Sequence, residues 1–352
     1  MRFKLLGHSG LRVSEICLGT MTFGNTWGAM GAEPAVCRAI YDAYRARGGN
    51  FVDTANKYME GMSERIVGEC IANGGGERDR VVLATKYSLS TANGDPNASG
   101  NGRKNMVQAV EKSLKRLGTD YIDLYWVHIW DFATPTEEVL RGLDDLVRAG
   151  KILYIGVSDT PAWVVSRANT IAELRGWSRF VGLQVEYSLI ERAVERELLP
   201  MAAALDLTVT AWSPLGAGVL SGKHTATDGA AVDSGRAQMV GGRLNARTRA
   251  VVEVLTQVAA ELGKPPAQVA LNWLRQRPTP VIPIVGARKL AQVEDNLACL
   301  DFTLAPEAVA RLDAASAIEL GFPHDFAAAD WVQKLTFGDM ADRIDRRRGG
   351  GV

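Results

Sequence analysis

Four side chains with complementary acid–base chemistry lie at or just after the ends of short apolar segments. Asp53 lies in FVDT and is followed by Tyr58, whereas Lys86 ends VVLATK and His128 ends YIDLYWVH. A free tyrosine has a pKa of about 10, which is too high for easy proton exchange at neutral pH. A nearby ammonium group favours the phenolate, so Lys86 could lower the pKa of Tyr58 if the fold brings the two together.

The other two groups have uses in the same assembly. A buried lysine is costly unless it is paired, so Asp53 could pair with Lys86 and fix its position. His128 could hydrogen-bond a substrate oxygen and orient it. The set would give a proton to a carbonyl oxygen or take one from an alcohol, while a nicotinamide cofactor would bring the hydride. Each residue alone also suits a helix cap, a solvated strand end or a polar core position, but their recurrence at successive segment ends favours chemistry.

Eight short apolar segments alternate with helix-like segments and would position these groups. The predicted strands are 16–20, 51–54, 81–86, 121–128, 152–158, 181–187, 207–213 and 281–286. The alternation implies parallel strands joined by crossovers, and the apolar runs imply strands covered on both faces. Eight units favour an α/β fold, the closed (β/α)8 TIM barrel, over a doubly wound open sheet. Neighbouring strands lie about 5 Å apart, so the four side chains would meet at one rim.

Helix signals occur between several of these strands. The predicted helices are 105–117, 136–149 and 161–177. Thr136 is predicted to cap the second helix, and Gly118 and Gly150 to end the first and second. Pro161 is compatible with a helix start.

Three segments exceed the minimal barrel. Residues 1–14 resemble a hairpin with a turn at 8–10 that could plug the barrel bottom, and residues 223–244 form a long polar loop. A further helix is predicted from about residue 306. We expect one domain over 1–340 and a disordered tail over 341–352.

Composition excludes several classes of function. The 352 residues hold 40 Lys+Arg and 40 Asp+Glu, so electrostatic capture of nucleic acid or of a membrane surface is not expected. No apolar run approaches the roughly 20 residues of a membrane span, and no signal peptide is recognised. The separated cysteines predict reduced thiols in a cytoplasmic protein. The histidines lack metal-ligand spacing, so no metal is expected, and the GxSxG signal of a serine hydrolase is absent.

Longer motifs are similar to those of a known family. NFVDTANKY, VVLATK, YIDLYWVH, KILYIGVSD, LQVEYSLIER, AWSPLGAGVLSGK and PIVGARKLAQVEDNL together resemble the aldo-keto reductase superfamily over nearly the whole chain. The resemblance implies an NADP(H)-dependent oxidoreductase in which Tyr58 is the general acid, Lys86 and Asp53 tune it, and His128 orients the carbonyl. GMSER and the SPLG string are similar to a branch with bacterial reductases, aryl-alcohol dehydrogenases and potassium-channel β-subunits. Those β-subunits commonly lack the histidine that this chain keeps.

The resemblance also implies a set of cofactor contacts. Trp212 would stack on the nicotinamide, Ser158 and Gln184 would bind its carboxamide, and Asp53 would lie nearby, while Asp159 stands where an asparagine is common. The residues placed by motif near the ribose and pyrophosphate are Thr20, Met21, Ser213, Pro214, Leu215, Gly216, Gly218 and Lys223. Those placed near the 2′-phosphate and adenine are Arg236, Gly286, Arg288, Gln292, Asp295 and Asn296.

The substrate is the least determined part. Trp27, Tyr87, Trp130, Phe132 and Met21 could line an apolar mouth for a small carbonyl or alcohol substrate. Three functions stay open: a carbonyl reductase, a regulatory module that senses NADP(H), and a barrel enzyme of another class. Both a monomer and a homo-oligomer stay open as well.

Overall fold

The computed structural model describes residues 1–74, 77–222 and 242–344, and its centre is a closed barrel of parallel strands. Around the barrel the order is β10-β3-β4-β5-β6-β7-β8-β9. These strands are β3 (Cys17–Gly19), β4 (Phe51–Asp53), β5 (Val82–Tyr87), β6 (Ile122–Val127), β7 (Ile152–Ser158), β8 (Phe180–Glu186), β9 (Thr208–Trp212) and β10 (Val281–Gly286). The predicted (β/α)8 barrel is confirmed. The open sheet is excluded because β10 pairs with both β9 and β3.

The N-terminal segment forms the predicted hairpin and closes the barrel bottom. Strands β1 (Phe3–Leu5) and β2 (Arg12–Ser14) pair in antiparallel register. Leu6 and Val13 pack with side chains of the barrel interior, and Lys4 Nζ donates a hydrogen bond to the carbonyl of Val281 (2.9 Å). The hairpin therefore keeps water from the bottom of the interior.

Alternation along each strand separates two cores. Phe51, Ala84 and Trp126 face the barrel interior, whereas their neighbours Val52 and Leu83 face the surrounding helices. Trp126 fits the interior because the next two strands, β7 and β8, carry Gly156 and Gly182 beside its ring. A Cβ at position 156 or 182 would come within 2.3 or 2.8 Å of its ring.

Within the described residues, helices between the strands cover the outer face of the barrel, and further helices follow the last strand. They are α1 (Pro34–Ala46), α2 (Met62–Ala72), α3 (Arg103–Leu117), α4 (Thr136–Arg148), α5 (Ala162–Arg175), α6 (Leu198–Ala204), α7 (Ala246–Leu262), α8 (Pro266–Arg275), α9 (Leu290–Leu297), α10 (Pro306–Ser316), α11 (His324–Ala328) and α12 (Asp330–Phe337). Short 3₁₀ turns occur at Gly28–Met30, Tyr58–Gly61, Glu77–Arg80, Ala193–Glu195, Gly216–Ser221, Ala298–Asp301 and Gly338–Arg343.

The predicted helix ends are partly confirmed. Gly118 ends α3 in the left-handed conformation (φ 63°), and Gly150 (φ 72°) follows α4. Thr136 is not a cap: Pro135 precedes the helix in an extended conformation, so Thr136 is already its first residue. Helix α3 begins two residues earlier than predicted, and Pro161 is the N-cap of α5, which ends at Arg175 before Gly176.

The C-terminal part has more helix than predicted. One extra helix was expected from about residue 306, but α11 and α12 follow α10. Residues 345–352, most of the predicted tail, and residues 223–241, most of the predicted loop, lie outside the described residues. Within the described ranges, no helix is both long enough and apolar enough to cross a membrane.

Candidate active site

The predicted catalytic side chains on the strands alternate in step with side chains that point into the barrel. Phe51 faces inward on β4, so Asp53 does too, and Ala84 places Lys86 inward on β5 in the same way. His128 follows Trp126 by two residues at the end of β6. Because parallel strands end at one rim, these groups and Tyr58, on the loop after β4, come together at the mouth of the barrel.

Lys86 is the centre of a hydrogen-bonded chain. Its ammonium group pairs with the Asp53 carboxylate and donates to the carbonyl of Thr54 (2.9 Å) and the hydroxyl of Tyr58 (3.1 Å). The Gln184 amide donates to the second oxygen of Asp53 (3.2 Å). Lys86 is 0% exposed and Asp53 2%, so the pair is held in a fixed, nearly dry position beneath Tyr58. The predicted pairing is therefore present.

Burial and charge oppose each other in this pair. Burial alone would lower the pKa of Lys86, but the Asp53 carboxylate and the Tyr58 oxygen raise it, and the net shift is upward. Burial raises the pKa of Asp53, against the opposing effects of Lys86 and the Gln184 hydrogen bond. Lys86 therefore keeps its positive charge beside the phenol.

The pKa of Tyr58 departs from the sequence-based expectation. Lys86 does lower it, as predicted, but burial raises it more and the Asp53 carboxylate offsets part of the ammonium charge. The net shift is upward. The phenol accordingly stays protonated at neutral pH and suits a proton donor, because a substrate oxyanion that develops beside it can draw on both Tyr58 and the Lys86 charge.

His128 is a neutral neighbour of Tyr58. Burial, with a smaller contribution from the Lys86 charge, holds the pKa of His128 well below its ordinary value. Its ring meets that of Tyr58 edge-on, with 5.7 Å between centroids. The buried Nδ1 atom has no hydrogen-bond partner among the described residues. A neutral imidazole beside a phenol can donate one hydrogen bond to a substrate oxygen without competing for the proton.

These groups open into a cavity of about 590 Å³, within the usual size range of ligand sites. Predicted residues that line it are Thr20, Met21, Trp27, Asp53, Tyr58, His128, Ser158, Gln184, Trp212, Ser213, Pro214, Leu215, Gly218, Gly286 and Asn296. Asp159 lines the cavity as well, and further lining residues that were not predicted are Gly19, Thr22, Met30, Leu89, Ala217, Arg243, Ile284 and Val285. The period-2 phase of β10 could have indicated Ile284, whereas Met30, Leu89 and Arg243 lie on loops without a comparable signal.

One end of the cavity suits a nicotinamide ring. Ser158 is the last residue of β7, and Gln184 pairs with it near the end of β8. Both face the barrel interior, and Trp212 lies at the end of the neighbouring strand β9. The Trp212 indole N–H donates to Asp159 Oδ1 (3.0 Å), which fixes the plane of the ring. Thr20 is buried and donates its hydroxyl to the carbonyl of Asp53 (3.0 Å). An aromatic face with amide and hydroxyl groups beside it fits the ring and the carboxamide of the cofactor.

The loop after β9 supplies the next part of the wall. Ser213 has a left-handed backbone (φ 52°), as do Gly216 and Gly218. The Gly216 N–H donates to the carbonyl of Ser213 (2.8 Å) and the Gly218 N–H to that of Leu215 (2.9 Å), so the loop itself uses these two predicted phosphate donors. Gly216 packs under the wall, where a Cβ would lie 2.4 Å from Ile190.

The predicted adenosine residues are only partly at the cavity. Asn296 lines it, but the Gln292 side chain accepts from the N–H groups of Arg288 (2.9 Å) and Lys289 (3.2 Å) and so caps α9. Asp295 accepts from Gln268 (2.7 Å). The Arg288 guanidinium donates to the carbonyl of Ala29 (2.5 Å), joining this loop to the loop that carries Trp27. The predicted residues Lys223 and Arg236 lie outside the described residues.

Three of the predicted mouth residues lie elsewhere. Tyr87 faces the helices: it is buried, stacks on Tyr125 with 5.3 Å between centroids and donates to the carbonyl of Asn101 (3.2 Å). The structure removes it from the cavity wall because it follows the inward Lys86 by one residue, which reverses its direction. Trp130 is buried in the outer core, and Phe132 is 71% exposed; neither lines the cavity.

Trp27 does reach the cavity and is held there by a neighbouring loop. Its indole N–H donates to Glu60 Oε1 (3.1 Å), and Lys57 pairs with the other Glu60 oxygen (2.7 Å). Glu60 has a left-handed backbone (φ 54°), as does Met59 (φ 49°), directly after Tyr58. The turn that presents the phenol therefore also positions the aromatic wall opposite.

Comparison with known proteins agrees with this geometry. Residues 15–317 match the Aldo/keto reductase family. The norsolorinic acid reductase of Aspergillus flavus is 38% identical over 329 residues, which cover 92% of this chain and 82% of that protein. An aryl-alcohol dehydrogenase (NADP(+)) of Phanerodontia chrysosporium is 38% identical over 352 residues (95% and 88%), and aldo-keto reductase ausK of Emericella nidulans is 35% identical over 341 residues (94% and 85%). The chain therefore belongs to the aldo/keto reductase family and is an oxidoreductase of carbonyl and alcohol groups.

Proposed function

We propose that the protein reduces an aldehyde or ketone to the alcohol, reversibly, with NADPH as the hydride source and Tyr58 as the proton donor. The observation that carries the proposal is the chain from Asp53 through Lys86 to the Tyr58 hydroxyl, which opens on one end of the cavity. A bound nicotinamide would supply the hydride. The protein's own residues would donate and accept the proton.

In reduction, the substrate oxygen would accept hydrogen bonds from Tyr58 and the neutral His128. As negative charge develops on that oxygen, the phenol transfers its proton, and the Lys86 ammonium stabilises the phenolate that remains. Asp53 keeps Lys86 in place through their ion pair. In alcohol oxidation the same steps would occur in reverse order, and the Tyr58 phenolate would act as the base.

The proposal of NADP(H) rests on family membership and on the name of the aryl-alcohol dehydrogenase relative. The cavity residues fit the nicotinamide end of such a cofactor, as described for Ser158, Gln184 and Trp212. Arg288, whose guanidinium already binds a backbone oxygen at the cavity edge, would hold the 2′-phosphate.

The substrate class that fits best is an aromatic aldehyde or ketone. Trp27, Met30 and Leu89 give the open end of the cavity an aromatic and apolar wall. The relatives include proteins named for norsolorinic acid and for aryl alcohols, in agreement with such a wall.

We also propose that residues 1–340 form a single domain.

The alternative is a regulatory subunit that binds NADP(H) without fast turnover. The presence of His128 beside Tyr58 favours an enzyme, because both substrate-oxygen contacts are then in place. Rapid mixing of the NADPH complex with an aromatic aldehyde discriminates the two. An enzyme transfers hydride within one turnover of seconds or less, whereas a sensor leaves the cofactor reduced for minutes.

The test combines binding and turnover in wild-type protein and the Tyr58→Phe variant. NADPH should quench tryptophan fluorescence in both, and the loss of reduced nicotinamide absorbance should follow aldehyde addition in the wild type only. The Phe variant keeps the ring and removes the hydroxyl that accepts the hydrogen bond from Lys86. Reduction at wild-type rate by the variant would exclude Tyr58 as the donor, and failure of both proteins to bind any nicotinamide cofactor would exclude the proposed function.

A further inference from the structure

Asp159 is a carboxylate in the cavity that the proposed proton transfer does not use. It follows β7 directly and has a left-handed backbone (φ 42°), which aspartate and asparagine tolerate better than most residues. Its N–H donates to the carbonyl of Gln184 (3.3 Å), and its Oδ1 accepts from the Trp212 indole (3.0 Å). The side chain is therefore fixed beside the aromatic face proposed for the nicotinamide.

Among the described residues of the site, Asp159 is a carboxylate without a paired cation. Asp53 is paired with Lys86, and Glu186, at the end of β8, is paired with Arg243. Within residues 1–74, 77–222 and 242–344, no lysine, arginine or histidine nitrogen lies within ion-pair distance of Asp159. A ligand beside Trp212 would consequently meet one net negative charge.

We propose that Asp159 sets the redox preference of cofactor binding, favouring the oxidised over the reduced nicotinamide. This inference rests on the proposed function. Oxidation gives the ring a positive charge and leaves the rest of the cofactor unchanged, so a fixed carboxylate beside the ring stabilises one form and not the other. With about 6 Å between the carboxylate and the charged ring, and with effective dielectric constants between about 30 and 80, one such charge changes the ratio of the two dissociation constants by about three- to twentyfold.

The consequence concerns the direction of the reaction. A protein that binds the oxidised cofactor more tightly than the reduced one shifts the equilibrium on its own surface toward oxidised cofactor and reduced carbonyl product. It also releases the oxidised cofactor more slowly after a reduction. The Asp159 carboxylate thus favours hydride donation within the complex but slows the release of the oxidised cofactor that follows. Removing the carboxylate should therefore change the rates of carbonyl reduction and of alcohol oxidation unequally.

The ionisation of Asp159 gives a second signature. Burial raises the pKa of this carboxyl group, while the Trp212 hydrogen bond and the Lys86 charge oppose that rise and Glu186 adds to it. The other titratable groups that line the cavity, among the described residues, are Asp53 and Tyr58, whose pKa values are raised, His128, whose pKa is lowered, and Arg243, which is paired with Glu186. As the pH falls through the pKa of Asp159, the preference for oxidised cofactor should disappear.

The variant Asp159→Asn isolates the charge. Asparagine keeps the left-handed backbone, and its side-chain oxygen can still accept from the Trp212 indole, so the ring should stay in place. The matched control is Asp120→Asn. It removes an exposed carboxylate on the loop between α3 and β6, at the opposite end of the barrel.

The experiment measures dissociation constants for NADP+ and NADPH by titration calorimetry in wild type, Asp159→Asn and Asp120→Asn. We expect Asp159→Asn to lower the preference for NADP+ over NADPH by about three- to twentyfold, chiefly by weakening the binding of NADP+, while Asp120→Asn leaves the ratio unchanged. If both cofactors bind and the ratio is the same in all three proteins, the role of Asp159 is refuted and the proposed function is untouched. If the wild type binds neither, both are refuted.

Discussion

Replacing Lys86 with methionine would leave the Asp53 carboxylate in the barrel without its charge partner. Methionine has a similar length, so the change removes the ammonium group and little volume. Asp53 is 2% exposed and would keep the hydrogen bond from the Gln184 amide (3.2 Å) but lose its cation. Breaking one side of a buried ion pair typically costs about 3–5 kcal/mol of folding free energy, since an uncompensated charge is left behind. We expect a loss in that range.

The pH dependence of the loss has a definite sign. Burial raises the pKa of Asp53 and Lys86 opposes that rise, so removing Lys86 moves the pKa further up. A carboxyl group whose pKa is higher in the folded than in the unfolded state, where it is about 3.9, reduces stability increasingly as the pH rises. The loss should therefore be greater at pH 7 than at pH 5.

The assay is urea unfolding followed by fluorescence and circular dichroism at both pH values. The variant Lys86→Met/Asp53→Asn removes both charges and should recover most of the stability, because no buried charge is left unpaired. A single-variant loss under about 1 kcal/mol, or a double variant no more stable than the single one, would refute the description of this pair as a buried, mutually dependent unit.

Three further predictions follow from other contacts. Arg116→Met leaves the fully buried Glu64 without its cation and should lower the free energy of unfolding by about 3–5 kcal/mol in urea titrations. Gly156→Ala places a Cβ 2.3 Å from the Trp126 ring and should destabilise the barrel by about 1–3 kcal/mol, visible as a lower thermal midpoint. Because the pKa of His128 is held well below its ordinary value, kcat/KM for reduction should show no ionisation of this group between about pH 6 and 8; a histidine-like step there that disappears in His128→Gln would contradict the neutral assignment.

Most of the barrel could be predicted because its strands are short, apolar and separated by helical segments. The two exact strand predictions, 152–158 and 281–286, are those with clear polar or glycine boundaries. The helices after residue 316 could not be predicted in the same way. No residue of α11 or α12 is buried, so the periodic apolar pattern that marks a packed helix is weak there.

The meeting of the proposed catalytic residues at one rim could be predicted because the alternation of side chains along each strand decides where they point. The same alternation places Tyr87, which follows Lys86 by one position, on the outer face of the barrel. Sequence reasoning alone could therefore have excluded Tyr87 from the cavity wall. The direction of the Tyr58 pKa could not be predicted, since it depends on how completely the folded barrel removes water from the phenol. Contacts between loops, such as Arg288 with Ala29 and Trp27 with Glu60, have no sequence signal because loop geometry sets them.

The 3₁₀ turn at Gly28–Met30 has no buried residue, although it lies beside Trp27 and supplies Met30 to the cavity. Asp53 and Lys86, by contrast, lie on strands that are packed on both faces. Mutations in the turn can therefore reshape the entrance without loosening the core. A lineage with this arrangement can exchange one substrate for another through changes in a few surface positions, while its chemistry stays the same.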